Sequence, residues 1–166
     1  MSRPTEQRLR VPGVAFLLSQ LGGQSSRAWT ARLAAVGMEP REAMLLRHVA
    51  LSEGSSQQAV ANSIGLPASR IVGLVDRLEA RGWIERRTVG TDRRRHALYL
   101  SPLGRKALDQ ITVLGADHER AFTGALGPAE RDELIRLLER IASAEGLIEG
   151  VHPGFDDPEA DQTRES

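Results

Sequence analysis

Asp92-Arg93-Arg94-Arg95 places three guanidinium groups side by side, the longest basic run in the chain. Each guanidinium is a planar fork of donors that suits phosphate oxygens and base edges. A run of like charges is most often only a solvated surface. This one falls between two short segments of strand character, 83–88 and 96–100, and Gly90 suits the tip of a hairpin. A hairpin wing tipped with arginine fits the narrow minor groove of duplex DNA, where the negative potential is strongest. Phosphates would repel Asp92, which therefore reads as a brace that pairs with an Arg and fixes the loop.

The stretch before the wing predicts two short helices joined by a tight turn. Ser55-Ser56-Gln57-Gln58 has the spacing of a capping box and opens a helix to Ile64. Gly65-Leu66-Pro67 is the turn, and a helix over 68–81 follows, stopped by Gly82. Ala61 is small enough for a close helix crossing, and Gly65 tolerates a positive φ. Val60, Ile64, Leu66, Ile71 and Leu74 supply the apolar lock.

With Ile71, Leu74, Val75 and Leu78 turned inward, Ala68, Ser69, Val72, Gly73 and Asp76 face outward. A second helix so placed sets its N-terminal residues in the major groove. Ser69 can bond a base edge or a phosphate, and Val72 can pack on a thymine methyl. Arg70 and Arg77 lie on a flank, suited to phosphates or a guanine. Ser56, Gln57 and Gln58 begin the preceding helix, where backbone N–H groups favour a phosphate.

Composition narrows the partners. With 166 residues, 40% hydrophobic and 27% charged, the chain is an ordinary globular length and mix. Formal net charge is zero, which argues against a generic nucleic-acid coat. The charge is unevenly spread: residues 68–105 hold nine arginines against four acids, and residues 149–166 hold six acids against one arginine. There is no cysteine, so disulfides, thiolate zinc sites and thiol redox sensing are excluded. No apolar run approaches the ~20 residues of a membrane span, and 1–10 lacks a signal-peptide core, so a cytoplasmic protein without membrane partners is expected.

The flanking segments are helical. A long helix over 14–33 is interrupted by Gly22-Gly23, where a bend or a close helix contact is expected. Pro40 starts a helix to Leu51. Ser101-Pro102 caps another long helix, to about Leu126, and Gly127-Pro128 breaks it. A last helix over 130–144 carries Leu134, Leu137, Leu138 and Ile141 on one face. One small lobe cannot cover these apolar faces, so a two-fold homodimer is expected. From 149 onward the composition predicts an acidic, disordered tail.

Trp29, Arg47 and His48 fall on helices that could line a small-molecule pocket. Trp29 could stack on an aromatic ring, and Arg47 or His48 could hold a carboxylate. Packing is the blander role for each. The four histidines share no ligand spacing, so no metal and no cofactor is expected. No phosphate-binding glycine motif or nucleophile elbow argues for an enzyme.

These residues resemble the MarR family of bacterial transcription regulators. The likeness is carried by Leu74-Val75-Asp76-Arg77-Leu78-Glu79-Ala80-Arg81-Gly82-Trp83-Ile84-Glu85-Arg86, by Asp92-Arg93-Arg94, and by Leu98-Tyr99-Leu100-Ser101-Pro102-Leu103-Gly104. It implies a mainly α fold with a small β-wing: a winged helix-turn-helix lobe plus N- and C-terminal dimerisation helices. The boundaries it implies are a flexible arm over 1–10, a winged-helix domain over 11–148 and the tail over 149–166. Within the domain, dimerisation helices cover about 11–35 and 103–148, and the DNA-binding lobe about 39–102. It implies a homodimer on a palindromic operator, acting as a repressor relieved by a small anionic or aromatic ligand bound between the dimer helices and the lobe. An architectural or protein-interaction module is the alternative.

Carried over by position, Arg94 enters the minor groove, Asp92 braces the wing, and Ser69 and Arg70 start the recognition helix. Two residues depart from the family pattern. Pro67 stands where a capping Ser or Asp is common, and Gly73 where a polar or basic contact is common. The lack of cysteine removes the peroxide sensing of some members.

Overall fold

A computed structural model describes residues 13–89 and 96–152. In chain order the elements are α1 (Val14–Ala34), α2 (Pro40–Leu51), α3 (Gln57–Ile64), α4 (Ala68–Ala80), β1 (Ile84–Thr88), β2 (His96–Leu100), α5 (Pro102–Phe122) and α6 (Pro128–Ala144). Among the described residues the protein is mainly helical with one small antiparallel hairpin, in which Ile84 pairs with Leu100 and Thr88 with His96. The expected wing residues Asp92, Arg93, Arg94 and Arg95 lie outside the described residues, as do the arm and most of the tail.

The core sits in the lobe built by α2, α3, α4 and the hairpin. Leu45, Leu46, Val49, Val60, Ile71, Val75, Leu78, Ile84, Leu98 and Leu100 are fully buried there, joined by Leu33 from the end of α1. Burying side chains of this size contributes ~1.5–3 kcal/mol each, before chain entropy is charged against it.

The helix ends have local causes. Glu39 and Glu42 form a reciprocal cap at the start of α2, with the Glu39 N–H donating to Glu42 Oε2 at 3.0 Å, and Pro40 takes the first turn. Gly65 ends α3 at φ +79°. Gly82 follows α4 at φ +68°, one residue beyond the Arg81 cap. Ser101 caps α5 by accepting from the Gly104 N–H at 2.9 Å, while its hydroxyl donates to the Gly82 carbonyl.

Several expectations need correction. α1 runs unbroken through Gly22-Gly23, and the space beside Gly22 is open rather than filled by a neighbouring helix. The cap of α3 is Ser56, whose Oγ accepts from the Ala59 N–H at 3.2 Å, whereas Gln58 turns along the helix to Asn62. There is thus no reciprocal box from Ser55. α5 ends at Phe122, four residues early: Thr123 leaves the helical conformation as the cap, and the chain turns to bring the Leu126 N–H onto the Thr123 carbonyl.

The expected tail does not begin at 149. After Gly146 and Gly150, both at positive φ, the chain turns back onto the lobe. Val151 packs against the core, Ile148 lies on the Gly65 turn, and the His152 ring meets Ser26 Oγ at 3.2 Å. Apolar side chains at 148 and 151 outweigh the polar composition around them.

No helix among the described residues is long and apolar enough to cross a membrane.

Candidate nucleic-acid interface

The lobe presents three surfaces side by side: the start of α3, the outer face of α4, and the stem of the hairpin. The Ser52–Ser55 connector ties the start of α3 to the hairpin. Its Gly54 N–H donates to the Leu98 carbonyl at 3.0 Å, and Leu98 N–H donates to the Ser55 carbonyl at 2.9 Å. Glu53 completes the splice, accepting from the Leu100 N–H at 2.8 Å and pairing with Arg105 at 3.0 Å. Those contacts, led by the Leu100 N–H, hold the Glu53 carboxyl below its ordinary range.

On α4 the inward residues Ile71, Leu74, Val75 and Leu78 are buried, as their spacing predicts. Ser69, Arg70, Val72, Gly73, Asp76 and Arg77 are exposed on the other side. Ala68 departs from the expectation: it is half-buried and packs against the core, so it is less available than its neighbours. Pro67 precedes the helix without a side-chain cap, and its carbonyl instead accepts from the Arg70 N–H at 2.9 Å.

Arg86 on β1 ties these surfaces together. Its guanidinium reaches Asp76 at 2.5 Å, Glu79 on the same helix, and Gln57 of α3 at 3.4 Å. Burial works against the Arg86 charge, but the two carboxylates outweigh it and hold it firmly protonated. One cation thus neutralises both acids on the exposed side of α4 and fixes the helix to the hairpin stem. Beside it lies a cleft of about 490 Å³, lined among others by Ser56, Gln57, Gln58, Arg86, Val89 and His96.

A second arginine bridge fixes the C-terminal end of α4 to α2. Arg81 donates to both oxygens of the buried Glu42 at 3.0–3.1 Å and to the Gly37 carbonyl at 2.9 Å, and its guanidinium lies 3.6 Å over the Trp83 ring. Neither bridge is visible in the sequence. Arg81 and Arg86 belong to a basic stretch, but nothing local names acids 39 and 10 residues away as partners.

The expected ligand residues do not form one cluster. Trp29 is half-buried and faces His118 at 5.6 Å between ring centroids; His118 in turn stacks on Phe122 at 5.8 Å and meets Ser25 Oγ at 3.0 Å. Arg47 is exposed. His48 is half-buried beside residues 148–151, where burial and the Arg47 charge lower its pKa against the opposing pull of the Gly150 carbonyl. No group of three His, Asp or Glu that could hold a metal ion occurs among the described residues.

A family model described as "MarR family" matches residues 36–95, the span of this lobe. A solved structure of CouR from Rhodococcus jostii RHA1, bound to p-coumaroyl-CoA, is 30% identical and superposes with a TM-score of 0.63, covering 78% of this chain and 91% of that one. The chain belongs to the MarR family. This MarR-family protein is also similar to the transcriptional repressor CouR bound to a 23-mer DNA duplex, with 26% identity and a TM-score of 0.70 over 86% of this chain and 99% of that one. A putative transcriptional regulatory protein for the hcr operon of Thauera aromatica is 38% identical over 105 residues. That match spans 63% of this chain and 63% of the relative's length. Both of these relatives, the hcr-operon protein and CouR, are named as transcriptional regulators.

Proposed function

We propose that this chain is a homodimeric, sequence-specific DNA-binding transcription regulator, a repressor released from its operator by a small anionic or aromatic ligand. The observation that carries the reading is the outer face of α4: a bare helix side with exposed Ser69, Val72 and Gly73 and flanking Arg70 and Arg77, its acids neutralised by Arg86. Ser56, Gln57 and Gln58 at the start of α3 take a phosphate beside it. Ala68 contributes at most its backbone. Arg93, Arg94 and Arg95 extend the reading to the minor groove, with Asp92 as their brace.

The dimer follows from unpaired apolar surface. Phe16, Leu17 and Leu21 on α1, Val113 on α5, and Leu134, Ile135, Leu137 and Ile141 on α6 are all exposed in the single chain. Surface of this extent is what a second copy covers. The helices over 11–35 and 103–148 then form the dimer body and 39–102 the DNA lobe, with half-sites ~34–36 Å apart. The ligand reading rests on the Trp29–His118 pair, with Arg47 and His48 as separate candidates on α2, and on the binding of p-coumaroyl-CoA by CouR.

The test is fluorescence-anisotropy binding to the DNA upstream of the protein's own gene, against a shuffled duplex, at two salt concentrations, with sedimentation to give the mass. Binding selective by ~10³ or more, by a dimer, is expected. A monomer that ignores sequence overturns the proposal.

A further inference from the structure

The central stripe of the exposed α4 face consists of Ser69, Val72, Gly73 and Asp76, at spacing i, i+3, i+4, i+7. The side chains that read purines by paired hydrogen bonds are Arg and Lys for guanine, and Asn and Gln for adenine. None of them stands in this stripe. Asp76 could accept from a cytosine amino group, but its carboxylate is held by Arg86 at 2.5 Å. Arg70 and Arg77 lie together on one flank, seven residues apart, where phosphates pass.

Two features of the stripe remain. Val72 is 41% exposed, a branched apolar side chain on an otherwise polar surface, with no packing role that requires it there. Gly73 is bare: a Cβ built on it meets nothing within 4 Å. The absent side chain lets the helix backbone come nearer to the groove floor than any other residue would allow. An apolar side chain beside a bare backbone position is complementary to a projecting methyl group. The only methyl in the major groove is on C5 of thymine.

We infer that the recognition helix selects its half-site through thymine methyl groups packed on Val72 and seated over Gly73, not through hydrogen-bonded purines. This rests on the proposed DNA-binding function and deepens it. The reading step is apolar burial, with Ser69 alone supplying polar contact near it. The flanking arginines hold the helix in register and contribute affinity without sequence preference.

The experiment starts by selecting the best-bound duplex from a randomised pool with the full-length protein. That duplex is then remade with each thymine in turn replaced by deoxyuridine, which removes one methyl and leaves every hydrogen-bonding group in place. Wild-type protein loses about fourfold in affinity at one or two thymines per half-site, the value of one buried methyl. Val72→Ala, an exposed substitution whose fold is checked by its melting temperature, binds the thymine duplex about that much more weakly and no longer distinguishes thymine from deoxyuridine. If no thymine matters, or if Val72→Ala keeps the wild-type preference, the inference is overturned while a selected duplex still upholds a regulator. A loss confined to 7-deazaguanine substitutions would move readout to Arg70 or Arg77 and overturn it equally. Selection that yields no preferred duplex removes both the inference and the proposed function.

Discussion

Gly104 rests directly on the backbone of Trp83. A Cβ at position 104 would lie 1.9 Å from the Trp83 carbonyl oxygen, and the Ser101 N–H donates to that same oxygen at 3.0 Å. The first turn of α5 is therefore seated on the chain that leads from α4 into the hairpin. Contact is backbone to backbone, so no rotamer change can relieve it. Gly104→Ala should cost about 3 kcal/mol or more, read as a lower urea midpoint. Gly65→Ala, where the neighbour is only the tip of Ile148 and the main penalty is φ +79°, should cost about 1–2 kcal/mol. Equal midpoints for the two variants would contradict this account.

Arg86→Ala leaves Asp76 and Glu79 without their shared cation, two carboxylates on the helix proposed to meet phosphates. Affinity for a selected duplex should fall about tenfold. Arg86→Ala with Asp76→Asn should recover part of the loss, because one repelling charge is gone. A double variant as weak as the single one would show that Arg86 acts otherwise than by neutralising Asp76.

Arg77 is exposed on the flank in the last turn of α4. If it contacts one phosphate, Arg77→Ala weakens binding to selected and random duplexes alike and lowers the slope of log K against log salt by ~0.9. A loss seen only on the selected duplex would instead make Arg77 a base reader.

Arg81 is the cation beside the buried Glu42 carboxylate. Removing one member of a buried pair strands the other, at ~3–5 kcal/mol when both are fully enclosed. Arg81 is 35% exposed, so water screens the pair and Arg81→Ala should cost about 2 kcal/mol in denaturant unfolding. Arg81→Ala with Glu42→Gln should be more stable than Arg81→Ala alone.

His48 has a pKa below its ordinary 6.5 in the folded protein, chiefly because burial disfavours the cation. The unfolded chain then binds more protons than the folded one below about pH 6.5, so the stability contribution is complete above that value and is lost as pH falls. His48→Gln should show a shallower loss of stability from pH 6.5 downward than wild type. Parallel curves would place His48 in solvent in both states.

Signals that act within one turn of chain are legible in the amino-acid order. The Gly65 turn, the inward stripe Ile71, Leu74, Val75 and Leu78, the Gly82 stop, and Ser101-Pro102 before α5 each depend on a residue and its neighbours three or four positions away. The start of α3 differs from the expectation by one residue, since Ser55 and Ser56 are chemically alike and only the path of the connector selects between them. The end of α5 differs because the chain already turns between Thr123 and Leu126, ahead of the glycine-proline signal.

The order of elements, the polarity of each helix and the residue types offered on α4 are all written in the chain itself. Which charges are spent internally, and which are left for a partner, is settled by packing alone. Arg86 and Arg81 look like Arg77 in the sequence, yet the packing of α4 against β1 and α2 brings acids to the first two and leaves Arg77 exposed. Likewise His118 joins Trp29, and Ile148 reaches Gly65, across stretches no periodicity spans. Such pairings depend on how several buried faces close on one core at once, and the chain states each face only separately.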